Sequence, residues 1–577
     1  MSIETKNIIS EFIQKKLVIL ILVSFLAIQN LIFQVTFRLN FPYSVDFQDV
    51  FVPMYDFIVK GEFTFLVNKG IHVMLFPKLI SLPNFYFNSF DVVNLTYVYW
   101  IVISLTVFIT YLIIKQTDRR LIWTIIPISA FLYSPLTTSG YFMLVMLEWY
   151  FPLLGIVSII YLLNKKNIKT KIFTSSIFLA FFSTFSIVLG VVSWIAGLAI
   201  LFKSISEKKF ENKKWIFLWL TSASLIGFFY MTLTSGMSEP IRTDLLFSYT
   251  GFSFITNFIS SSFRLKYEFL MILVGSFSII LSIVYGWYFV RKEYLKQYFP
   301  WFVLLVTAFS GSIITALGRM QLDNHFGNEP YYSTISQLFQ IGLIVLTGKL
   351  IIEFNISSTN SKKKVITIIL ILLLISQMVL LVPSYYSGWQ RGEYYSQEKT
   401  DFVNCFSLSP KIDCLDKYHT YPEDYLPMIN YLIENKLSIF DDSEKLNEIK
   451  SLEKFRTLKS HSDISIKNNF ESINDEFIQN NNRYDVTQEV IKINGWFDIS
   501  IDSVPKNLFL LIDGKPIIEN HDMKLTQNKN QIPNYTTVNW SIFFLSGYID
   551  SGCHPVQLAG IIDDEKIYLE NELTLCK

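Results

Sequence analysis

The feature that most constrains this chain is a series of long apolar stretches whose short connectors are alternately rich and poor in Lys and Arg. About 20 apolar residues in a helix cross a hydrocarbon core of about 30 Å. Such stretches lie at residues 17–37, 95–114, 121–136, 141–163, 172–187, 189–202, 215–233, 269–290, 301–317, 335–352 and 365–381. They predict a polytopic α-helical membrane protein of about eleven spans, several of them short. Residues 172–202 are almost continuous, broken only by Ser183, Thr184, Ser186 and Gly190, and are read as two short helices meeting at a bend. Such a break is tolerated at membrane depth where protein or a water-filled cavity satisfies the freed backbone groups. With 51% hydrophobic and 17% charged residues and a mean hydropathy of +0.37, 577 residues are too apolar for a soluble globule.

Charge gives the orientation. Lys6, Lys15 and Lys16 precede the first stretch. Alternate connectors then carry Lys115, Arg119 and Arg120; Lys165, Lys166, Lys169 and Lys171; Lys208, Lys209, Lys213 and Lys214; Arg291 and Lys292; and Lys362, Lys363 and Lys364. These connectors are expected on the cytoplasmic side, which puts the N-terminus inside a cytoplasmic membrane and everything after Pro383 outside. No small-residue cleavage pattern follows the first stretch, so it is read as a span that is kept. A net charge of +1 and a pI near 7.6 argue against a nucleic-acid partner. All four cysteines fall in the outer segment, as an oxidising compartment would favour. Pairing with the nearest neighbour joins Cys405 to Cys414 and Cys553 to Cys576. The spacings do not suit zinc, and His419 and His554 complete no ligand pattern.

The sequence thus divides into a membrane region (1–383), an outer linker (384–485) and an outer domain (486–577). Within the linker, Tyr425, Met428, Ile429, Leu432, Ile433 and Leu437 have helical spacing. The Asn-, Ser-, Lys- and Asp-rich part at 441–485 reads as a loose connector or an elaborated edge. Beyond it, Val490, Ile491, Ile493, Trp496, Ile499 and Ile501 lead into 508–512, and Asp513-Gly514 marks a hairpin turn. Further runs at 537–545, 556–562 and 566–575 complete a β-sandwich pattern. Trp496 and Trp540 either stack on sugar rings or belong to the sandwich core.

Chemistry is expected where ionisable residues are held at the membrane surface. The loop after the first span is the richest, at about 55 residues where most connectors are far shorter. It contains Phe41-Pro42-Tyr43-Ser44-Val45-Asp46-Phe47-Gln48-Asp49, then Tyr55-Asp56, Lys60-Gly61-Glu62, and His72 ahead of Phe76-Pro77-Lys78. Asp46 and Asp49, three residues apart at the start of a predicted helix, share one face. They suit removal of a proton from a hydroxyl acceptor, or a divalent cation facing a phosphate; either one also suits a helix cap. Glu148, inside an apolar stretch, is costly unless paired or near water. Arg319 and Tyr331-Tyr332 flank the loop before residue 335, where the tyrosines also fit an interfacial belt.

The order of Asp46-Phe47-Gln48-Asp49, His72 before Phe76-Pro77, Glu148-Trp149, Phe185-Ser186 with Gly190 and Trp194, Gly318-Arg319 and Tyr331-Tyr332-Ser333-Thr334 resembles the GT-C glycosyltransferases. These are polytopic enzymes that use a polyprenyl-phosphate-linked sugar and carry an acidic motif in the first outer loop. The resemblance covers most of residues 17–383. It departs at Glu329-Pro330-Tyr331, where an Arg-Tyr pair would be expected. It implies a GT-C-like membrane domain, Asp46 or Asp49 as general base, and His72, Glu148, Arg319, Tyr331 and Tyr332 as donor or acceptor contacts. The implied reaction transfers a sugar from the lipid-phosphate donor to a cell-envelope glycan on the outer face. The β-domain, with Trp496 and Trp540, would recognise or position that glycan. A glycan polymerase or ligase, a transporter, and a non-catalytic anchor for the β-domain remain the alternatives.

Overall fold

A computed structural model describes residues 3–37, 50–66, 73–137, 146–165, 167–206, 213–234, 243–319, 327, 329–356 and 361–408. It also describes isolated positions between 427 and 437 and most of the strand segments between 468 and 576. The chain forms two compact units, Met1–Gln397 and Glu398–Lys577.

The first unit is helical, with α1 (Ile3–Phe37), α2 (Val52–Tyr55), α3 (Leu75–Phe87), α4 (Val92–Thr117), α5 (Ile125–Leu132), α6 (Leu147–Leu163), α7 (Thr170–Thr184) and α8 (Val192–Ser206). It continues through α9 (Lys213–Thr234), α10 (Thr243–Leu246), α11 (Tyr249–Ser260), α12 (Glu268–Arg291), α13 (Leu295–Arg319), α14 (Ser333–Ile356) and α15 (Ser361–Leu408). Among the described residues, seven helices are long and apolar enough to cross a membrane: α1, α4, α9, α12, α13, α14 and α15. The other four expected spans fall on shorter elements. Residues 119–132 form a six-residue 3-10 turn followed by α5 of eight residues, α6 has 17 residues, and α7 and α8 have 15 each.

The bend expected within 172–202 is present. Thr184 ends α7, a 3-10 turn at Val188–Val191 follows, and α8 returns. The hydroxyls of Ser183 and Ser186 donate to the carbonyls of Leu179 and Phe182 at 2.8 and 2.7 Å. Trp194 Nε1 donates to Thr184 Oγ1 at 3.0 Å, closing the two helices on each other. Gly190 lies against the Ser183 backbone so closely that any Cβ would collide with it.

A helix that ends inside a bundle leaves its last carbonyls without intrahelical donors, and lipid supplies none. Here the long spans supply them. At the end of α5, Asn30 Nδ2 donates to Tyr133 O at 2.9 Å, Tyr385 Oη to Ala130 O at 2.8 Å, and Gln337 Nε2 to Phe131 O at 2.8 Å. At the end of α11, Ile259 O accepts from Ser336 Oγ at 2.7 Å and from Gln340 Nε2 at 3.3 Å. Three of these five donors lie on α14, and 89% of its most apolar stretch is buried, against 11% for α9. α14 is therefore the central helix, whereas α9 shows Phe217, Phe228 and Met231 on its surface, each 71% exposed.

The outer linker is expected from residue 384; α15 runs through Pro383 and on to Leu408, so the first residues of that stretch are helical. A proline is tolerated there when neighbouring helices satisfy the backbone group it frees. Ser384, Gly388 and Arg391 follow on one stripe of α15. Gly388 abuts the Pro135 carbonyl, leaving no room for a side chain.

The second unit is a sandwich of two sheets. One has the order β2 (Glu476–Phe477), β1 (Asn468–Ile473), β4 (Val490–Ser500), β8 (Tyr535–Leu545), β7 (Met523–Thr526). The other has the order β3 (Arg483–Asp485), β11 (Leu573–Cys576), β9 (Cys553–Ile562), β5 (Leu508–Ile512), β6 (Lys515–Asn520), with β10 (Glu565–Tyr568) also on β9. Ile473, Ile491, Ile493, Phe497, Leu508, Leu510, Val538, Trp540, Val556, Leu558 and Leu575 form the core. Strands β1 to β3 come from the stretch read as a connector. Only Phe470 and Ile473 in β1 are apolar among Asn, Ser and Glu, too few for alternation to stand out. Cys553 and Cys576 face each other on β9 and β11 and are disulfide-bonded. The Cys405–Cys414 pairing lies outside the described side chains, as does most of the helical pattern at 425–437, where Met428 and Leu432 are buried.

Candidate functional site

Asp46, Asp49 and His72 lie outside the described residues. The chain on either side of them is anchored. Val50 and Phe51 are fully buried just ahead of α2. A turn of π-helix follows, held by an Asp56–Lys60 ion pair of 2.7 Å and ended by Gly61 at φ 71°, a conformation that favours glycine. Beyond His72, the Val73 N–H donates to Tyr230 Oη at 3.3 Å, and the Leu75 N–H donates to Phe185 O, in the α7–α8 bend, at 2.9 Å. Phe76 packs edge-on to Phe181 at 5.6 Å. The first loop thus crosses the ends of α7 and α9 immediately after His72. Lys78 of α3 is fully buried and donates to Phe65 O at 3.1 Å.

Glu148 stands in the first turn of α6, 4% exposed, and its charge acts on the Tyr230 hydroxyl that receives Val73. Burial of this kind is sustained only where neighbours or water compensate the carboxylate. The next residue carries the site across to α14. The Trp149 ring lies 5.0 Å from Tyr331 and 5.5 Å from Tyr332, the two tyrosine rings are 4.7 Å apart, and Phe258 of α11 backs Tyr332 at 5.1 Å. Both tyrosines belong to the 3-10 turn Pro330–Tyr332 that leads into α14. Arg319, the last residue of α13, acts electrostatically on both hydroxyls, as does Glu329. Burial is the main cause that pushes the Tyr332 phenol up to about 12 and Tyr331 higher still. Both are therefore neutral at physiological pH and able to donate hydrogen bonds. Neither is a base.

Two further cations were missed in the sequence. Arg264 follows α11, and its backbone N–H donates to Ser384 Oγ of α15 at 2.8 Å. Arg391, two turns further along the same stripe, is close enough to repel it. Burial first, and Arg391 second, lower Arg264 to about 10, while Glu329 acts in the opposite sense. Arg264 stays cationic at neutral pH. Glu329 thus acts both on the tyrosine pair and on Arg264. The available signal was an arginine directly after an amphipathic segment, Tyr249–Ser260, which the apolar-run criterion skips. Arg391 lies beyond Pro383, where the apolar run has ended and no local pattern shows that the helix continues.

One end of the bundle therefore gathers Glu148, Trp149, Tyr230, Arg264, Arg319, Glu329, Tyr331, Tyr332 and Arg391 from α6, α9, α13, α15, the residues after α11 and the turn before α14. Such a set offers guanidinium groups to an anion, clustered aromatic rings to a sugar, and a carboxylate to a proton. Among the described residues no three His, Cys, Asp or Glu are grouped to hold a metal ion. In the second unit, Trp540 is 3% exposed in the core, while Trp496 points to the other face of the same sheet. No protein-family model, no curated protein and no solved structure matches the chain.

Proposed function

We propose that this chain is a GT-C type glycosyltransferase that moves a sugar from a polyprenyl-phosphate donor to a cell-envelope glycan on the outer face of the cytoplasmic membrane. The observation that carries this reading is the joint presence, at one end of the helical unit, of Glu148, the Trp149–Tyr331–Tyr332 aromatic cluster and Arg319. Arg319 meets the donor phosphate at the membrane surface, where a charge-assisted hydrogen bond is strong. A carboxylate of the first loop, Asp46 or Asp49, takes the proton of the acceptor hydroxyl. The oxygen bonds to the anomeric carbon, the carbon–oxygen bond to phosphate breaks, and the lipid phosphate leaves with the electron pair. One such displacement inverts the anomeric centre. In the alternative role for the same two carboxylates, they would hold a divalent cation that neutralises the leaving phosphate.

The test is transfer of labelled hexose from polyprenyl phosphate to envelope glycan by the parent, Asp46→Asn, Asp49→Asn and Arg319→Ala proteins. Loss of the general base is expected to lower turnover about 100-fold to 10,000-fold. Arg319→Ala is expected to weaken donor binding instead. Unchanged transfer in both Asn variants would remove the acidic motif from the mechanism. A second reading, a ligase or polymerase that uses diphosphate-linked chains, draws support from Arg264 and Arg391, since two more guanidiniums suit a second phosphate. A diphosphate-linked donor that outcompetes the monophosphate would favour it.

A further inference from the structure

The five-stranded sheet of the second unit has two unlike faces. Residues of its two longest strands alternate, as strand geometry requires. Ile491, Ile493 and Phe497 of β4 and Val538, Trp540 and Ile542 of β8 are buried against the other sheet. Asn494 and Trp496 of β4 and Asn539 of β8 take the opposite face and are half-buried.

Pairing registers extend that face across four strands. Asn469 of β1, Trp496, Asn539 and Lys524 of β7 stand in one row. On one side of it lies the row Ser472, Asn494 and Ser541, and on the other Asp498, Thr537 and Thr526. The face thus carries hydroxyl- and amide-bearing residues around one indole, on the middle strand of the sheet. With neighbouring strands about 4.8 Å apart, it measures roughly 14 Å across, room for a short oligosaccharide.

We propose that this face is a glycan-binding site, with Trp496 as the stacking platform and Asn494, Asn539 and the flanking Ser and Thr positions reading sugar hydroxyls. An indole offers an apolar face to the C–H side of a sugar ring, while amides both donate and accept. The registers set only Lys492, Lys524 and Asp498 as charged residues on this face, too few and too mixed in sign for a polyanion, which suits an uncharged polyhydroxyl chain. The site stands apart from the transfer reaction, because it uses none of the residues gathered at the end of the helical unit.

The experiment titrates the full-length protein, in a detergent without a sugar headgroup, with the hexasaccharides of glucose, mannose and N-acetylglucosamine. Saturable binding of at least one is expected. Trp496→Ala should weaken it roughly tenfold or more and Trp496→Phe less, since a smaller ring still stacks. The Cys553–Cys576 bridge and an unchanged β-sheet circular-dichroism signal report that each variant is folded. The readout is binding and not transfer, so a failure of the transfer reaction leaves it unchanged. Binding of none of the three sugars, or binding untouched by a folded Trp496→Ala, would overturn the proposal.

Discussion

Ile259 O, at the end of α11, provides a sharp test of how this bundle satisfies its interrupted helices. Its acceptor is met by two side chains of α14, Ser336 Oγ at 2.7 Å and Gln340 Nε2 at 3.3 Å. Ser336→Ala removes the shorter bond and, with it, the 2.8 Å contact to Ser262 Oγ. Side-chain hydrogen bonds between membrane helices average about 0.6 kcal/mol and reach about 1.7 kcal/mol, so a loss of about 1 kcal/mol is expected. Gln340→Met keeps the volume, gives up only the longer bond, and removes a buried Oε1 that has no partner. It should cost less than about 0.5 kcal/mol. The double variant differs in kind, because it leaves a buried carbonyl with neither donor, a state that costs about 1–3 kcal/mol. Its destabilisation should therefore exceed the sum of the singles by on the order of 1 kcal/mol. Thr307→Val is the control. Its hydroxyl bonds only the Val303 carbonyl of its own helix, at 2.7 Å, and the change should stay within about 0.5 kcal/mol. Equilibrium unfolding in mixed dodecyl sulfate micelles measures all four. Additive singles, or a double variant no worse than Ser336→Ala, would refute the capping argument.

Two other outcomes follow from the charges. Arg264 sits beside Arg391 with its folded value lowered to about 10, so its cost to folding is present throughout the neutral range. That cost is relieved only as pH rises through 10. Arg264→Gln should therefore stabilise the protein equally at pH 6 and pH 8 while weakening a lipid-phosphate donor; lower stability, or a gain confined to one pH, would contradict this. A single cysteine near Gln531, introduced with the native Cys553–Cys576 bridge intact, should react with an impermeant reagent in whole cells. Labelling only after lysis would reverse the orientation read from the connectors.

What the sequence revealed, and what it hid, has a physical pattern. The seven helices long and apolar enough to cross a membrane among the described residues were visible because lipid contact demands length and apolarity together, and the bend at residues 183–190 showed through its hydroxyls and glycine. α5 and α11 were less legible, since a helix capped by other side chains need not carry a span's length. Glu148, Arg319, Tyr331 and Tyr332 were legible as candidates because charge and paired aromatics stand out at the edge of apolar runs. Arg264 and Arg391 were not, because their meeting depends on α15 continuing through Pro383, which no local pattern announces. In the sandwich the alternation that named Trp496 and Trp540 together is the same alternation that separates them. They fall on opposite faces because an even number of residues from Gly495 differs from an odd one in the pleat.

The enclosure of α14 has a consequence for how the protein is made. Its most apolar stretch is less apolar than that of α15, and it carries Ser336, Gln337, Gln340, Thr347 and Lys349 into the interior. Alone in lipid, such a helix would insert weakly, because each of those groups loses water and gains no partner. Its partners, the ends of α5 and α11, precede it in the chain and have already left the ribosome when it emerges. Biogenesis can thus run in chain order, with this polar-bearing central helix entering a seat that earlier segments have prepared.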